Sequence, residues 1–332
     1  MAEVRYLSSE DVAELATTEE YVEAVRGAYA ERGRGADAQP RTKLGRDDVG
    51  GMMTGYLAVL PEKGYMGGYM YAAGFGGNDA WFVTPVFDAA EGDLLAIIDG
   101  ASMNPYKTGS TGAVATDVLA RDDATELAII GAGSQARGQL ITTATVRDFE
   151  EVRVFSPTEE SRESFAADFD EQLDATVEAV PSTTAAVTDA DVIITATTAS
   201  EPVLADEDVE PGTHVTAMGQ YDPEKRELEA ETVARATYVP DLRERAFQDA
   251  GSFLQALESG AIDDDHIHAE LGEVVAGEAP GRTSDEEITV FDSGGTGVET
   301  IGAASMLLEN ARDADVGTFI DVFPASEAMI GN

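Results

Sequence analysis

The stretch Glu126-Leu-Ala-Ile-Ile-Gly-Ala-Gly-Ser-Gln-Ala136 constrains the fold more than any other part of the chain. An apolar run from Leu127 to Ile130 meets Gly131, Ala132, Gly133, Ser134, Gln135 and Ala136, then a helix-like segment through Val146. That order is what a dinucleotide-binding turn requires. Gly131 permits the tight turn, Gly133 lets backbone approach a pyrophosphate, and Ala136 lets the helix pack closely on the strand. Ser134 and Gln135 open that helix, whose first N–H groups and positive dipole end face the phosphates. An ordinary strand–turn–helix corner is the plainer alternative.

From residue 126 onward, strand and helix signals alternate. Apolar runs at 152–155, 192–195, 214–218, 238–239 and 288–291 are separated by helical candidates at 158–173, 227–236 and 246–259. Such alternation predicts a parallel, doubly wound α/β sheet. The first hundred residues read differently. Ser8 or Ser9 caps a predicted first helix with Val12, Leu15, Tyr21, Val22 and Val25 on its apolar face. Short runs at 64–71, 81–87 and 94–98 then predict antiparallel strands. Residues 111–119 suit a helix ending at the polar joint 121–124, and 298–312 suit a last helix.

Charge narrows the setting. Sixty-four acids face 21 bases, a net charge of -43, and only Lys43, Lys63, Lys107 and Lys225 are lysines. Such a surface repels nucleic acid and anionic membranes. The acids are spread along the chain instead of forming one tail, so the expectation is a salt-loving organism. At about 1 M salt the Debye length falls to roughly 3 Å and screens the self-repulsion. Cysteine is absent, which removes disulfides and thiol chemistry. No stretch approaches the roughly 18 apolar residues of a membrane helix, and Glu3, Glu10 and Asp11 do not suit a signal peptide. The expected location is the cytoplasm. His214, His266 and His268 lack companions at metal-ligand spacing, so no metal is expected.

The second strand of the predicted sheet ends in Ser156, where NAD-selective turns usually carry an acid for the ribose 2′-hydroxyl. Ser156, Thr158 and Arg162 suit a 2′-phosphate instead, while Glu159 and Glu160 oppose it, so NAD or NADP stays open with a lean to NADP. Ser156 could equally cap the following helix. Further on, Thr195, Ala196 and Thr197 end one strand, and Met218 and Gly219 end another. Carboxyl ends of parallel strands are where these folds bind ligands, and small residues there admit a nicotinamide ribose.

Several unusual strings occur in one order: Asp99-Gly100, Lys107-Thr-Gly-Ser110, the glycine turn, Pro211-Gly-Thr-His214, Lys225-Arg-Glu-Leu228, Ala269-Glu-Leu-Gly-Glu-Val274 and Phe291-Asp-Ser-Gly294. Through them the chain, from Gln39-Pro-Arg41 to Ala304, resembles the ornithine cyclodeaminase/mu-crystallin family, which includes archaeal alanine dehydrogenases and ketimine reductases. The resemblance implies a Rossmann domain over 121–299, inserted into an α+β substrate and dimerisation domain made of 1–120 and 300–332. It also implies a homodimeric NAD(P)-dependent enzyme acting at the α-carbon of small amino acids or their imines. Storage-type NADP(H) binding without catalysis is the alternative the family offers.

Roles carry over residue by residue. Arg41 falls on an arginine that binds the substrate carboxylate, a task suited to guanidinium. Thr108 lies in a segment that reaches the cofactor. Asp241, a candidate catalytic group, stands where many members have an aspartate near the cofactor, and Ser293 and Gly294 match a turn near the nicotinamide. Two positions depart from the pattern. The second carboxylate-binding arginine is Lys107 here, and Tyr69 stands in place of a lysine beside the substrate. Lys107 could grip a carboxylate or act as acid or base. Tyr69 could donate to a nascent amine or simply pack. The aspartate used in ornithine cyclisation falls near Tyr221 or Asp222, within a string that does not reproduce that site.

Overall fold

The computed structural model describes residues 2–46, 50–75, 80–219 and 221–325. The chain divides into two compact units, residues 1–107 with 296–332, and residues 108–295. The first unit opens with β1 (Ala2–Leu7), α1 (Ser9–Ala13) and α2 (Thr18–Gly33). Where the sequence suggests one helix, two form. Ser8 and Asp11 make a reciprocal cap on α1, and Thr17 and Glu20 make another on α2. Each box satisfies first-turn N–H groups and so starts a separate helix. There follow β2 (Asp37–Ala38), β3 (Thr42–Arg46), β4 (Gly51–Leu60), β5 (Tyr65–Ala73), β6 (Trp81–Asp88) and β7 (Leu94–Asp99). The predicted antiparallel region is therefore present, with β4, β5, β6 and β7 paired in sequence.

Helix α3 (Met103–Leu119) starts eight residues before the expected position 111. Pro105 sits in its first turn, where a missing N–H costs nothing. Lys107 ends the first unit and Thr108 opens the second. The sequence put this joint at 120/121. Gly109 and Gly112 explain the difference: an added Cβ would collide with the Gly138 carbonyl and the Gln139 side chain, so the helix body lies hard against the second unit's own backbone.

The second unit contains β8 (Glu126–Ile130), α4 (Ser134–Thr143), β9 (Glu151–Phe155), α5 (Glu159–Asp170), β10 (Thr176–Ala179), α6 (Thr183–Val187), β11 (Val192–Thr195) and β12 (His214–Met218). It continues through α7 (Ala230–Arg235), β13 (Thr237–Pro240), α8 (Arg243–Asp249), α9 (Gly251–Ser259), α10 (Leu271–Val275) and β14 (Thr289–Ser293). Its seven strands are parallel in the order β10-β9-β8-β11-β12-β14-β13. Alternation along β8 sends Leu127 and Ile129 to one core and Ala128 and Ile130 to another, so helices cover both faces. This is the doubly wound α/β fold expected.

Three local expectations change. β10 was not anticipated; it is four residues long with one buried side chain, too weak a period to read. The helix expected over 227–236 starts only at Ala230, leaving Glu227 in the bend that precedes it. The helix expected over 246–259 breaks at Ala250, because Gly251 packs against the Lys225 carbonyl where a Cβ has no room.

The chain then returns to the first unit with α11 (Gly297–Asp313) and β15 (Thr318–Val322). The joint falls at 295/296 where the sequence placed it at 299/300. Thr296 and Glu299 form the N-terminal box of α11, so those residues belong with the helix. β15 pairs antiparallel with β1, completing an eight-stranded mixed sheet in the order β15-β1-β7-β6-β5-β4-β2, with β3 also on β4. Gly302 of α11 lets it close on α2, since a Cβ there would lie 2.7 Å from that of Ala28.

Candidate functional site

The glycine turn lies where the strand order reverses, at the carboxyl ends of neighbouring β8 and β11. This switch point is where open α/β sheets take ligands. Gly131 has φ +122°, and a Cβ would strike the Ala196 carbonyl, so only glycine fits. Gly133 is exposed with open space where a Cβ would be. As N-cap of α4 it supplies no capping side chain, leaving the first-turn amides of Ser134, Gln135 and Ala136 uncapped. Ala136 is fully buried against the sheet. A cradle that is open, uncapped and positive fits a dinucleotide's diphosphate.

At the next strand, Arg162 Nη1 donates to the Ser156 carbonyl at 3.0 Å and lies 3.7 Å from Glu159. Thr158, not Ser156, is the N-cap of α5, and its side chain makes no capping bond. Arg162 thus braces the loop that Ser156 and Thr158 form.

Thr195 and Thr197 turn out to be directed at a residue to which the sequence assigned no role. Glu227 is buried, and its carboxylate accepts from Thr195 Oγ1 at 2.9 Å, Thr197 Oγ1 at 2.7 Å and the Thr197 amide at 2.8 Å. Burial pushes its carboxyl up to about 7 despite those three donors. Ala196 presents its carbonyl to Gly131. Met218 is buried at the end of β12, and Gly219, at φ +141°, would place a Cβ 2.9 Å from the Thr197 carbonyl. Gln220 in the following string lies outside the described residues; Asp222 Oδ1 accepts the Glu224 amide in a turn.

Asp241 differs from its expected part. It is fully buried at the end of β13 and accepts from Leu242 N, Arg245 Nε, Gly294 N and Gly295 N at 2.7–3.1 Å. Arg245 also pairs with Asp292 at 2.5 Å and lies 3.6 Å from Asp249. A carboxylate so occupied shapes the Ser293–Gly295 turn and is not a catalytic group. A Cβ on Gly294 would sit 2.8 Å from Arg245, and Ser293 is buried beside it. Thr108 accepts through its carbonyl from Gln139 Nε2 at 3.1 Å, at the start of the unit's share of α3.

In the first unit, strand pairing gathers the other candidates on one sheet face. Tyr56 lies opposite Tyr69, Thr54 opposite Tyr71, and Phe82 opposite Tyr71. Tyr69 is wedged between Tyr56 and Phe82, with ring centroids 5.5 and 5.2 Å away. Its hydroxyl is buried with no hydrogen-bond partner among the described residues. Burial raises its pKa, so it can donate a hydrogen bond but holds its proton. Arg41 is buried, 5.5 Å from the Tyr56 centroid and 3.5 Å from the Tyr71 hydroxyl. Lys107 is buried as well, which excludes a chance surface lysine. Its Nζ stands 4.8 Å over the Tyr69 ring and 3.5 Å from Glu299. Burial lowers the Lys107 pKa and Glu299 opposes that shift, with the net direction downward. Two cations on an aromatic wall suit a small planar carboxylate.

Sequence reasoning missed Glu227, Glu299, Arg245 and the Tyr56–Phe82 wall. Glu299 had a signal, the Thr-x-x-Glu box at Thr296. Glu227 lay within a quoted string but carried no sign of what it would touch. The histidines sit apart: His214 bonds Thr289 and Thr216 and is pushed down to about 3 by burial, His266 bonds the Val233 carbonyl, and His268 bonds the Pro280 carbonyl. Among the described residues no group of acids and histidines is placed to hold a metal, and no helix is long and apolar enough to cross a membrane.

The chain is 37% identical over 235 residues to the Delta(1)-pyrroline-2-carboxylate reductase of Bacillus cereus, covering 70% of this chain and 72% of that protein. The structure of the Thermococcus litoralis Delta(1)-pyrroline-2-carboxylate reductase, in complex with NADH and L-proline, superposes with a TM-score of 0.90 at 31% identity. It covers 95% of this chain and 99% of its own. An archaeal alanine dehydrogenase dimer with bound NAD gives 0.90 at 31%, covering 97% and 100%. The family model matches residues 3–315, and the chain belongs to the ornithine cyclodeaminase/mu-crystallin family.

Proposed function

We propose that the protein is an NAD(P)-dependent oxidoreductase that reduces the imine of a small amino acid, or oxidises the corresponding amine, at the α-carbon. The observation that carries this reading is the pair of buried cations, Arg41 and Lys107, on one aromatic-walled face of the first unit. With the dinucleotide's diphosphate at the Gly131–Ala136 turn, its nicotinamide would supply or accept the hydride. Arg41 and Lys107 would hold the substrate carboxylate, with Glu299 keeping Lys107 charged against its burial. The Tyr69 hydroxyl, buried with its donor uncommitted, would hydrogen-bond the imino group, and water would provide the proton. The aromatic stack of Tyr56, Tyr69 and Phe82 suits an apolar ring, as in a cyclic imine such as pyrroline-2-carboxylate, the substrate in the names of similar proteins.

The lean between cofactors is to NADP, because the residue that follows β9 is Ser156 and not an acid. We also infer a homodimer joined through the first sheet. Its outer face exposes Leu44, Met53, Leu57, Met70, Trp81 and Val83 together, with Trp81 78% exposed. So large an apolar face on so acidic a chain calls for a cover, and a second copy supplies a matching one. The net charge of -43 supports a salt-loving source.

The test follows nicotinamide absorbance in concentrated KCl with cyclic imines, with 2-oxoacids plus ammonia, and with ornithine. Rapid oxidation with a cyclic imine, and none with ornithine, is expected. Tight cofactor binding without turnover on any of them would favour the non-catalytic binder.

A further inference from the structure

The string Lys225-Arg-Glu-Leu228 has no part in the reading above, yet its glutamate is among the most constrained acids in the molecule. Glu227 is 1% exposed, and its three donors, Thr195 Oγ1, Thr197 Oγ1 and Thr197 N, are all uncharged. An ionised carboxylate buried without a counter-cation is costly. Its own segment is pinned from behind. Ser252 Oγ of α9 accepts the amides of Glu227 and Leu228, both at 3.3 Å, and Gly251 leaves no gap beneath the Lys225 carbonyl. The carboxylate therefore holds its target from a fixed base. That target is the exit of β11, residues 195–197, which in turn abuts Gly219 at the end of β12.

We propose that Glu227 is a positioning residue for the cofactor, holding the Thr195–Thr197 strand exit, and through it the Gly219 turn, in the shape the nicotinamide end of a dinucleotide requires. This rests on the reading that a dinucleotide occupies the Gly131–Ala136 turn. The placement follows from strand order. With the diphosphate at the start of α4, the adenosine ribose belongs at the end of β9, on one side of β8. The other half of the molecule must lie on the opposite side, over the ends of β11 and β12, which are the elements Glu227 shapes.

The arrangement is sensitive to pH. Facing Glu227 are Thr195 and Thr197 from the β11 exit, Ser252 from α9 and the charge of Asp292 from β14, itself paired with Arg245. On its own segment are Lys225 and Arg226, the latter 3.4 Å from Glu201. Burial brings the carboxyl up to about 7. Once protonated, it must donate one hydrogen bond, and it can no longer accept from all three donors. Grip on the strand exit is thus strong above neutrality and weakens below it.

The experiment titrates NADPH, NADH and ADP against the full-length wild type, Glu227→Gln and Thr197→Val in concentrated KCl, from about pH 6 to about pH 8.5, with thermal unfolding recorded alongside. For the wild type, the dissociation constant of the preferred reduced dinucleotide should rise several-fold as pH falls, while that of ADP, which needs only the glycine turn and β9, stays level. Glu227→Gln should bind the dinucleotide about tenfold more weakly at high pH, without pH dependence and with unchanged ADP affinity. Thr197→Val, which removes one donor and keeps the acid, should weaken dinucleotide binding less. Wild-type affinity and pH dependence in both variants would overturn the proposal, as would equal losses for ADP and dinucleotide, which mark a general collapse. Wild-type protein that binds neither dinucleotide nor ADP would instead overturn the cofactor reading beneath it.

Discussion

Lys107 and Glu299 stand 3.5 Å apart with about 1% of either side chain exposed, so the carboxylate offsets part of the cost of burying the ammonium. A substrate carboxylate adds a second anion for the same cation. Lys107→Ala should raise KM for an imino acid by roughly ten- to a hundredfold, the scale of one charge-assisted hydrogen bond, with partial recovery in Lys107→Arg. Because burial lowers the Lys107 pKa, the charged form is lost below the ordinary lysine range near 10. KM should therefore climb on the alkaline limb before free lysine would titrate, and Glu299→Gln should move that limb to lower pH. A steady-state pH profile of the three proteins checks this. Glu227 has the opposite character. Its pKa rises from 4.5 to about 7 on folding, so the folded state holds the proton more tightly. Stability from that proton is complete below about pH 4.5 and is lost as pH rises through about 7, a loss of up to roughly 3 kcal/mol. Unfolding curves of Glu227→Gln should lack this decline relative to the wild type; parallel curves would remove Glu227 from the account. The form of Glu227 that grips the strand exit is the form the fold tolerates least, as expected of strain kept at a working site.

Helix α4 and its approach turn concentrate the dinucleotide reading in a few backbone atoms. Gly131→Ala forces a Cβ into the Ala196 carbonyl at a positive φ, and should cost cofactor affinity at least tenfold, measured by fluorescence titration. Thr296→Ala removes the cap on α11 and also the hydroxyl bonded to Glu299. A loss of about 1 to 2 kcal/mol is expected from denaturant unfolding. These elements also show what a sequence displays. The glycine turn and the runs at β8, β11 and β12 were legible because buried parallel strands read as apolar blocks bounded by glycine or polar residues. The split of α1 from α2 was not, since the Thr17–Glu20 cap interrupts a helical period that the apolar residues alone carry through. β10 is too short to show a period, and the start of α3 is disguised by Pro105. Side-chain destinations were the least legible. Asp241 and Glu227 are both acids near strand ends. Asp241 meets the Gly294 and Gly295 amides as well as Arg245, and Glu227 meets a threonine pair, and apart from Arg245 these partners lie too far off in the chain for any local pattern to show them.

At the scale of the whole molecule, apolar and acidic surfaces make opposing demands. With 64 acids against 21 bases, the excess negative charges repel one another in dilute buffer and are screened in concentrated salt. Thermal stability should rise steadily as KCl is raised towards molar concentrations, and a flat or falling response would argue against salt adaptation. The outer face of the first sheet, led by Trp81 and Leu57, should be where two copies meet. Trp81→Glu with Leu57→Glu is expected to give monomers by light scattering in high salt, while an unchanged mass would place any interface elsewhere. All of this surrounds one chemical claim, that hydride moves between the nicotinamide of a dinucleotide anchored by its diphosphate at Gly131–Ala136 and the α-carbon of an imino acid held by Arg41 and Lys107. The most direct measurement supplies reduced cofactor deuterated at both C4 positions of the nicotinamide, together with pyrroline-2-carboxylate, and reads the product by mass spectrometry. The account predicts proline carrying a single deuterium at its α-carbon; unlabelled proline, or no cofactor-dependent product from any imine tried, would contradict it.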